Sequence, residues 1–178
     1  MPKRSAGLLV YRRKVGGEAA GVPGEATRAS WVTGASGVKG ALQVLLVHPG
    51  GPYWARRDDG WWSIPKGEVG EGEDELAAAE REFAEELGVP VPAGRRTPLG
   101  EVVQASGKRV RAWAVAGDLD ATSARSVTFE MEWPPRSGTM RRFPEVDRAA
   151  WCTLAEARSK LLPGQLPLLD RLAEALAR

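Results

Sequence analysis

Residues 67–89, GEVGEGEDELAAAEREFAEELGV, predict a glycine-broken acidic loop that leads into one helix. Glu73, Asp74 and Glu75 fall where the first helical turn should begin, and negative charge there favours the positive end of the helix dipole. Gly88 follows the last apolar position and should end the helix. Apolar residues between these limits recur at steps of three and four, which predicts one stripe facing a core. The stripe consists of Leu76, Ala79, Phe83 and Leu87.

Three carboxylates crowd another side of this helix. Glu82 and Glu86 fall about 40° apart at roughly 100° per residue, and Glu85 falls about 60° from Glu82. Like charges at these spacings destabilise a helix by roughly 0.2 to 0.5 kcal/mol per pair. A divalent cation such as Mg²⁺ or Mn²⁺ makes this crowding favourable, because it requires oxygen ligands held close together. The alternative is a solvated acidic face, which is what most charge runs are.

The spacing of the whole segment decides between these two interpretations. It satisfies Gly-x5-Glu-x7-Arg-Glu-apolar-x-Glu-Glu-x-Gly-apolar at every fixed position. Those positions are Gly67, Glu73, Arg81, Glu82, Phe83, Glu85, Glu86, Gly88 and Val89. A chance match at average residue usage is below roughly 10⁻⁸ per start position. The pattern is the Nudix box, and the chain resembles a Nudix hydrolase; residues 62–67 and 145–151 also look like that family, which extends the resemblance from residue 5 to the C-terminus.

The order of elements and the resemblance together predict the fold. Strands, a helix, more strands and two final helices in a chain of one-domain length predict a layered α/β or α+β fold. The resemblance implies an α/β/α sandwich with a mixed sheet and a loop-helix-loop metal site. It also implies Mg²⁺-dependent hydrolysis, with Mn²⁺ as a substitute, of a nucleoside diphosphate linked to another group. Its metal ligands would be Glu82, Glu85, Glu86 and the carbonyl of Gly67.

The resemblance and the helix geometry also suggest the catalytic residues. Arg81 projects from a different side of the helix and is expected to hold the loop through Glu73. A base must take the proton of the attacking water. Glu145 matches the position of a downstream glutamate in relatives that hydrolyse dinucleoside polyphosphates, and Glu85 is the alternative base. Glu80 projects away from the carboxylates and should be dispensable.

Candidates for substrate binding flank the box. Lys66 is placed to meet a phosphate oxygen. Tyr53 and Trp54, followed by the pair at 61–62, would line a base-binding slot, since ring stacking tolerates any base. Packing within the protein is an equally good explanation of these aromatic residues.

A basic loop is predicted at residues 134–144. Its Arg141 and Arg142 would hold polyphosphate bidentately, or would form ordinary solvated surface. His48 is the one histidine of the sequence; it follows a strand and precedes Pro49, which favours a hydrogen bond at a strand end over a catalytic role.

The substrate is less well defined by the sequence. The Pro-Lys-Gly at 65–67 looks more like diadenosine polyphosphate hydrolases than like other Nudix proteins, so a dinucleoside polyphosphate is the expected substrate. A downstream tyrosine found in some of those relatives is missing, because Tyr53 is the last tyrosine. Oxidised nucleoside triphosphates and nucleotide sugars stay open as substrates. An RNA 5′-end pyrophosphohydrolase and a non-catalytic nucleotide sensor are further alternatives, and the intact box disfavours the sensor.

Length and composition limit the number of domains, the classes of partner and the cellular compartment that we expect. The 178 residues suit one domain, 1–178, and a net charge of +2 does not predict binding of nucleic acid. A single cysteine, Cys152, gives no disulfide framework and favours a reducing cytoplasm, and no apolar run is long enough to span a membrane. Residues 14–40 are rich in glycine and alanine and predict a flexible insertion. The oligomeric state is not readable from the sequence.

The remaining elements follow from local patterns. Strands are expected at 5–11, 41–47, 101–104, 109–116, 126–133 and 148–152, and a turn-rich connector at 89–96. The first two strands pair most simply with each other. Thr153, with Glu156 three residues on, should open a helix through a capping box, and Pro167 should open the last helix.

Overall fold

A mixed sheet separates two helical layers in the computed structural model, which describes residues 4–15 and 40–178. The strands are β1 Arg4–Val15, β2 Gly40–Pro49, β3 Lys66–Glu68, β4 Arg96–Val103, β5 Arg109–Ala116, β6 Thr128–Glu132, β7 Met140–Pro144 and β8 Val146–Thr153. The helices are α1 Glu75–Leu87, α2 Leu154–Lys160 and α3 Pro167–Leu176, with single 3₁₀ turns at Ala121–Ser123 and Pro163–Gln165.

Strand β1 organises the sheet. The strand order is β4-β5-β1-β2-β8, and β3 pairs with the first part of β1. β1 runs parallel to β5 and antiparallel to both β2 and β3. The predicted pairing of the first two strands is confirmed. Because β3 lies against β1, the start of the acidic loop is fixed to the centre of the sheet.

Alternation along β1 directs side chains into two cores. Leu8 and Val10 pack with Phe83 of α1 on one face of the sheet, whereas Leu9 packs with Leu168 of α3 on the other. Each is fully buried, and replacing such a phenylalanine by alanine costs about 3–5 kcal/mol. The α/β/α sandwich predicted from the resemblance is confirmed.

The ends of α1 are set locally, as the sequence predicted. Asp74 is the N-cap, and its carboxylate accepts hydrogen bonds from the main-chain N–H groups of Leu76 and Ala77 at 3.1 and 3.0 Å. Gly88 follows the helix at φ 67°, a left-handed conformation that favours glycine. The capping box of Thr153 and Glu156 at α2 and the start of α3 at Pro167 are also confirmed.

Two predicted loops contain strands. β4 begins at Arg96 within the predicted connector, because residues 96–98 pair with β5. β7 occupies the second half of the predicted basic loop and pairs with β6 in a separate two-stranded sheet. Arg141 and Arg142 therefore lie on a strand, opposite Met131 and Glu130 of β6.

The predicted insertion at 14–40 begins and ends in strand, since β1 continues to Val15 and β2 starts at Gly40. Its remaining residues lie outside the described part of the chain. Within residues 4–15 and 40–178, no helix combines the length and apolar character needed to cross a membrane.

Candidate active site

The Glu82 carboxylate rests against the backbone of Gly67. A Cβ at position 67 would overlap that carboxylate, so only glycine leaves room for the contact. One turn further along α1, Glu86 Oε2 accepts a hydrogen bond of 3.0 Å from the main-chain N–H of Lys66. The helix and the β3 strand are therefore joined through the carboxylates that the sequence singled out.

Glu86 occupies a desolvated position. Its pKa is raised to about 7, chiefly by its removal from water; Lys66 opposes the shift, and the charges of Glu82 and Glu145 add to it. Burial also lowers the pKa of the Lys66 ammonium, and the carboxylate of Glu86 opposes that change. A carboxyl group in such a site gains more from an added positive charge than a solvated one does.

Arg81 holds the acidic loop, as expected, but also reaches the carboxylates. Its Nε and Nη2 donate to the two oxygens of Glu73 at 2.9 and 3.0 Å, a bidentate pair. Its Nη1 donates to Glu82 at 2.8 Å and to Glu85 at 3.3 Å. The prediction that Arg81 faces a different side of the helix is incomplete, because its long side chain bends back across the carboxylate face.

Glu73 completes the loop. Its Oε2 also accepts a hydrogen bond of 2.8 Å from the main-chain N–H of Gly70. These bonds, with the one from Arg81 first, lower the pKa of Glu73 to about 2. Glu80, by contrast, pairs with Arg96 at 2.6 Å on another side of α1, away from Glu82.

The donor chemistry of this site suits a hard divalent cation. Glu82, Glu85 and Glu86 offer carboxylate oxygens on one side of α1. Gly67, which has no side chain of its own, provides a main-chain carbonyl. Across residues 4–15 and 40–178, no three acidic, histidine or cysteine side chains point at one common position. The glutamates instead contact cationic or N–H groups, namely Arg81 and the Lys66 backbone.

Glu145 lies at the corner between β7 and β8, held by main-chain bonds on both sides. Its N–H donates to the carbonyl of Val127 at 3.0 Å, and its carbonyl accepts from the N–H of Gly50 at 2.8 Å. Val127 in turn donates its N–H to the carbonyl of Glu85 at 3.2 Å. A relay of backbone bonds therefore runs from α1 through Val127 to Glu145.

The electrostatics agree with that placement. Partial removal from water, and then the negative charges of Glu82 and Glu85, raise the pKa of Glu145 above the ordinary carboxyl value. Glu145 is thus close enough to the α1 carboxylates to feel them, while remaining exposed to solvent.

Two aromatic pairs involve the segment 50–62, one of them together with Trp133 of the β6–β7 hairpin. Tyr53 meets Trp133 edge to face with ring centroids 5.2 Å apart, and Trp54 lies on Trp61 at 5.0 Å. Tyr53 is 54% exposed, so its ring is available to a ligand. Sequence reasoning took Trp133 only as a strand residue; its contact with Tyr53 joins residues far apart in the chain and has no local signature.

The two arginines predicted to hold polyphosphate are exposed on β7. Arg142 forms an ion pair of 2.9 Å with Glu130 across the hairpin, and Arg141 lies opposite Met131. The ion pair is more than half exposed on both sides and contributes little to stability.

His48, expected to form a hydrogen bond at a strand end, does so from a fully buried position. Its ring nitrogens contact Asp147 and the carbonyl of Arg57. Neither partner was singled out from the sequence.

Comparison with known proteins identifies related sequences and folds. The NUDIX domain model matches residues 27–172 of the chain. An 8-oxo-(d)GTP phosphatase from Mycolicibacterium smegmatis is 34% identical over 110 residues, which are 60% of this chain and 31% of that protein. The chain therefore spans less than a third of the length of that curated relative.

Solved structures share the architecture. A C. elegans Ap4A hydrolase superimposes with a TM-score of 0.58 at 22% identity, covering 98% of both chains. A mutT/nudix family protein from Listeria innocua gives a TM-score of 0.57 at 18% identity, covering 99% of this chain and 95% of its own. At these identities the likeness establishes the fold alone.

Proposed function

Because the chain belongs to the NUDIX domain family, we propose that it is a Mg²⁺-dependent hydrolase of a phosphoanhydride bond in a nucleoside diphosphate linked to another group. The observation that carries the proposal is the proximity of Glu145 to the carboxylates of α1. Partial removal from water, and then the charges of Glu82 and Glu85, raise the pKa of Glu145, which supports its role as a proton acceptor.

Glu82, Glu85, Glu86 and the carbonyl of Gly67 would hold one or more ions. A divalent ion bound there would neutralise phosphate charge and ease the loss of a proton from water. The space that Gly67 leaves for the Glu82 carboxylate supports this assignment, since it places one proposed ligand against the residue that would supply the carbonyl.

Side chains of the protein would carry out proton transfer, phosphate binding and positioning of the loop. In the proposed reaction a water oxygen bonds to phosphorus while the bridging phosphorus–oxygen bond breaks, and the leaving phosphate carries away the bonding electrons. Glu145 would accept the proton of the water, and Glu85 is the alternative acceptor. Lys66 would donate to a phosphate oxygen, and Arg81 would hold the loop through Glu73.

A dinucleoside polyphosphate is the substrate that the aromatic surface supports best. Two separate pairs, Tyr53 with Trp133 and Trp54 with Trp61, would provide stacking surfaces. Two such surfaces suit a substrate with a base at each end, because base stacking is worth about 1–3 kcal/mol per base. Arg141 and Arg142, on the neighbouring strand, would contact the phosphate chain between them.

An oxidised nucleoside triphosphate is the second candidate. It is favoured by the 34% identity to an 8-oxo-(d)GTP phosphatase, although that relative is much longer than this chain. Cleavage would then release pyrophosphate or phosphate from a single nucleotide.

A substrate screen tests the proposal. The purified chain is incubated with Mg²⁺ or Mn²⁺ and with diadenosine polyphosphates, 8-oxo-dGTP, nucleotide sugars or capped RNA, and the products are identified by mass. We expect release of a nucleotide only with metal, with diadenosine polyphosphates cleaved fastest, and no release by Glu82→Gln. Faster cleavage of 8-oxo-dGTP would select the second candidate, and no cleavage of any compound would refute the proposed activity.

A further inference from the structure

The one histidine of the sequence is buried between two acceptors. His48 is 0% exposed, and its Nδ1 lies 2.7 Å from the Asp147 carboxylate. Its Nε2 lies 2.7 Å from the main-chain carbonyl of Arg57. The ring also meets Trp62 edge to face, with centroids 5.2 Å apart.

The chemistry of these partners determines how many hydrogen bonds the imidazole must donate. A carboxylate and a carbonyl can only accept hydrogen bonds, whereas a neutral imidazole carries one N–H. Both contacts are therefore satisfied together only when both ring nitrogens donate. Losing one donor would leave a buried acceptor or ring nitrogen unpaired, at a cost of about 1–3 kcal/mol.

Charged groups surround this position on every side. Asp147 and Arg148 come from β8, and Arg148 also lies over Trp62 at 5.4 Å. Lys160 of α2 lies over the same ring at 5.4 Å, and Asp58 accepts the indole N–H of Trp62 at 2.7 Å. Among these charged groups, Asp147 is the one whose side chain is hydrogen-bonded to His48.

The two partners of His48 belong to different parts of the candidate site. Arg57 lies in the segment that carries Tyr53 and Trp54. Asp147 lies two residues after Glu145, and β2 and β8 are paired antiparallel beside it. His48 thus joins the aromatic surface to the corner that carries the proposed base.

We infer that His48 is a positioning residue, which donates from both ring nitrogens and thereby fixes the aromatic segment 50–62 relative to Glu145. The inference rests on the proposed function, because Glu145 and Tyr53 act on the substrate proposed there. His48 itself touches neither substrate nor metal ligands. Its loss moves both the base and the stacking surface, and a displacement of about 1 Å can cost 10²-fold in rate.

Nitrogen NMR tests the hydrogen bonds without any need for activity. Since the sequence contains one histidine, the imidazole signals of tag-free protein are unambiguous. We expect two slowly exchanging ring N–H protons at about pH 7 and the loss or shift of the Nδ1 proton in Asp147→Ala. A single ring N–H in the wild-type protein would overturn the inference.

Steady-state kinetics tests the positioning role. At a temperature where every variant is folded by circular dichroism, we expect His48→Gln to lower kcat about 10- to 100-fold and to raise the KM for the nucleotide. The side chain of Asp147 is 28% exposed, so Asp147→Ala should fold even if His48→Gln does not, and should lower kcat in the same direction. The double variant should lose no more than the worse single variant, because the two residues act as one unit.

Val44→Ala is the matched control, since Val44 is a buried residue of the same strand outside this hydrogen-bonded group. It should lower the stability and leave kcat and KM unchanged. Unchanged kcat and KM in His48→Gln and Asp147→Ala would overturn the inference while the proposed function stands. A wild-type protein without any hydrolytic activity would refute the proposed function instead, and the NMR result would still report whether His48 donates twice.

Discussion

The carboxylate of Glu82 occupies the space that a side chain at Gly67 would fill. The contact joins β3 to the middle of α1. It makes the position of a proposed metal ligand depend on a missing Cβ atom in another element.

Gly67→Ala should therefore separate metal binding from folding. The new methyl group displaces only the end of a flexible side chain, so the fold should survive while Glu82 turns away. We expect the affinity for Mn²⁺, measured by calorimetry, and the hydrolytic rate to fall at least about 10-fold. Gly70→Ala is the control, because its Cβ would meet atoms of the Glu73 side chain at 3.2 Å or more and would not overlap Glu82; an equal loss in this control would contradict the explanation.

Glu86→Gln should stabilise the metal-free protein at high pH. The folded pKa of about 7 lies above the ordinary value of 4.5, so ionising Glu86 costs stability progressively as the pH rises from about 4.5 to 7. The cost is about 3 kcal/mol, and the pKa of about 7 already includes the opposing effect of Lys66. Urea unfolding with a chelator should show the variant more stable than wild type at pH 8 and equal to it near pH 4. Added Mg²⁺ should stabilise only the wild type.

Glu145→Gln should lower kcat by about 10²- to 10⁴-fold with little change in nucleotide affinity, because it removes a proton acceptor and not a binding group. Wild-type kcat should also fall on the acid side as this proton acceptor becomes protonated. Stopped assays across pH measure both effects. If Glu85→Gln, and not Glu145→Gln, removes that acid limb, the base is Glu85.

Glu73→Gln should change the acid stability of the loop. The folded pKa of about 2 lies below the ordinary value, so the pair with Arg81 contributes stability that is present above about pH 4.5 and is lost as the pH falls towards 2. The variant should lack that contribution, and its unfolding free energy should depend less on pH between these limits. Identical acid profiles for the variant and the wild type would mean that the ion pair is not formed in solution.

Tyr53→Ala and Trp133→Ala should each weaken substrate binding. The two rings contact each other, so each change should weaken binding of a dinucleoside polyphosphate by about 1–3 kcal/mol. The KM should rise accordingly, and kcat should be unchanged. Fluorescence titration with a non-hydrolysable analogue checks the affinity. Val103→Ala, a substitution of an exposed apolar residue of β4, should leave the KM unchanged.

The helix could be predicted because its causes are local. The N-cap of Asp74, the terminating Gly88 and the spacing of the glutamates all lie within one segment of the chain. The expected identification as a Nudix family member is confirmed by the match to residues 27–172. The substrate and the role of each site residue stay predictions.

The parts that escaped prediction depend on distant partners. β7 forms from a segment rich in arginine and proline because β6 supplies its hydrogen bonds and the Phe129–Phe143 contact at 6.2 Å. The contacts of Tyr53 with Trp133 and of His48 with Asp147 join residues that no local pattern relates. Likewise, the reach of Arg81 to Glu82 depends on how its long side chain bends, which the angular position of its Cα does not determine.

The main-chain relay from Glu85 through Val127 to Glu145 has an implication for how such an enzyme can diversify. Because that relay consists of main-chain bonds, the chemistry of the β6–β7 side chains can be rewritten without relocating the proton acceptor. Libraries randomised on the outward faces of the hairpin should thus yield altered substrate choice at undiminished turnover, and the fold keeps recognition and bond cleavage as separately adjustable properties.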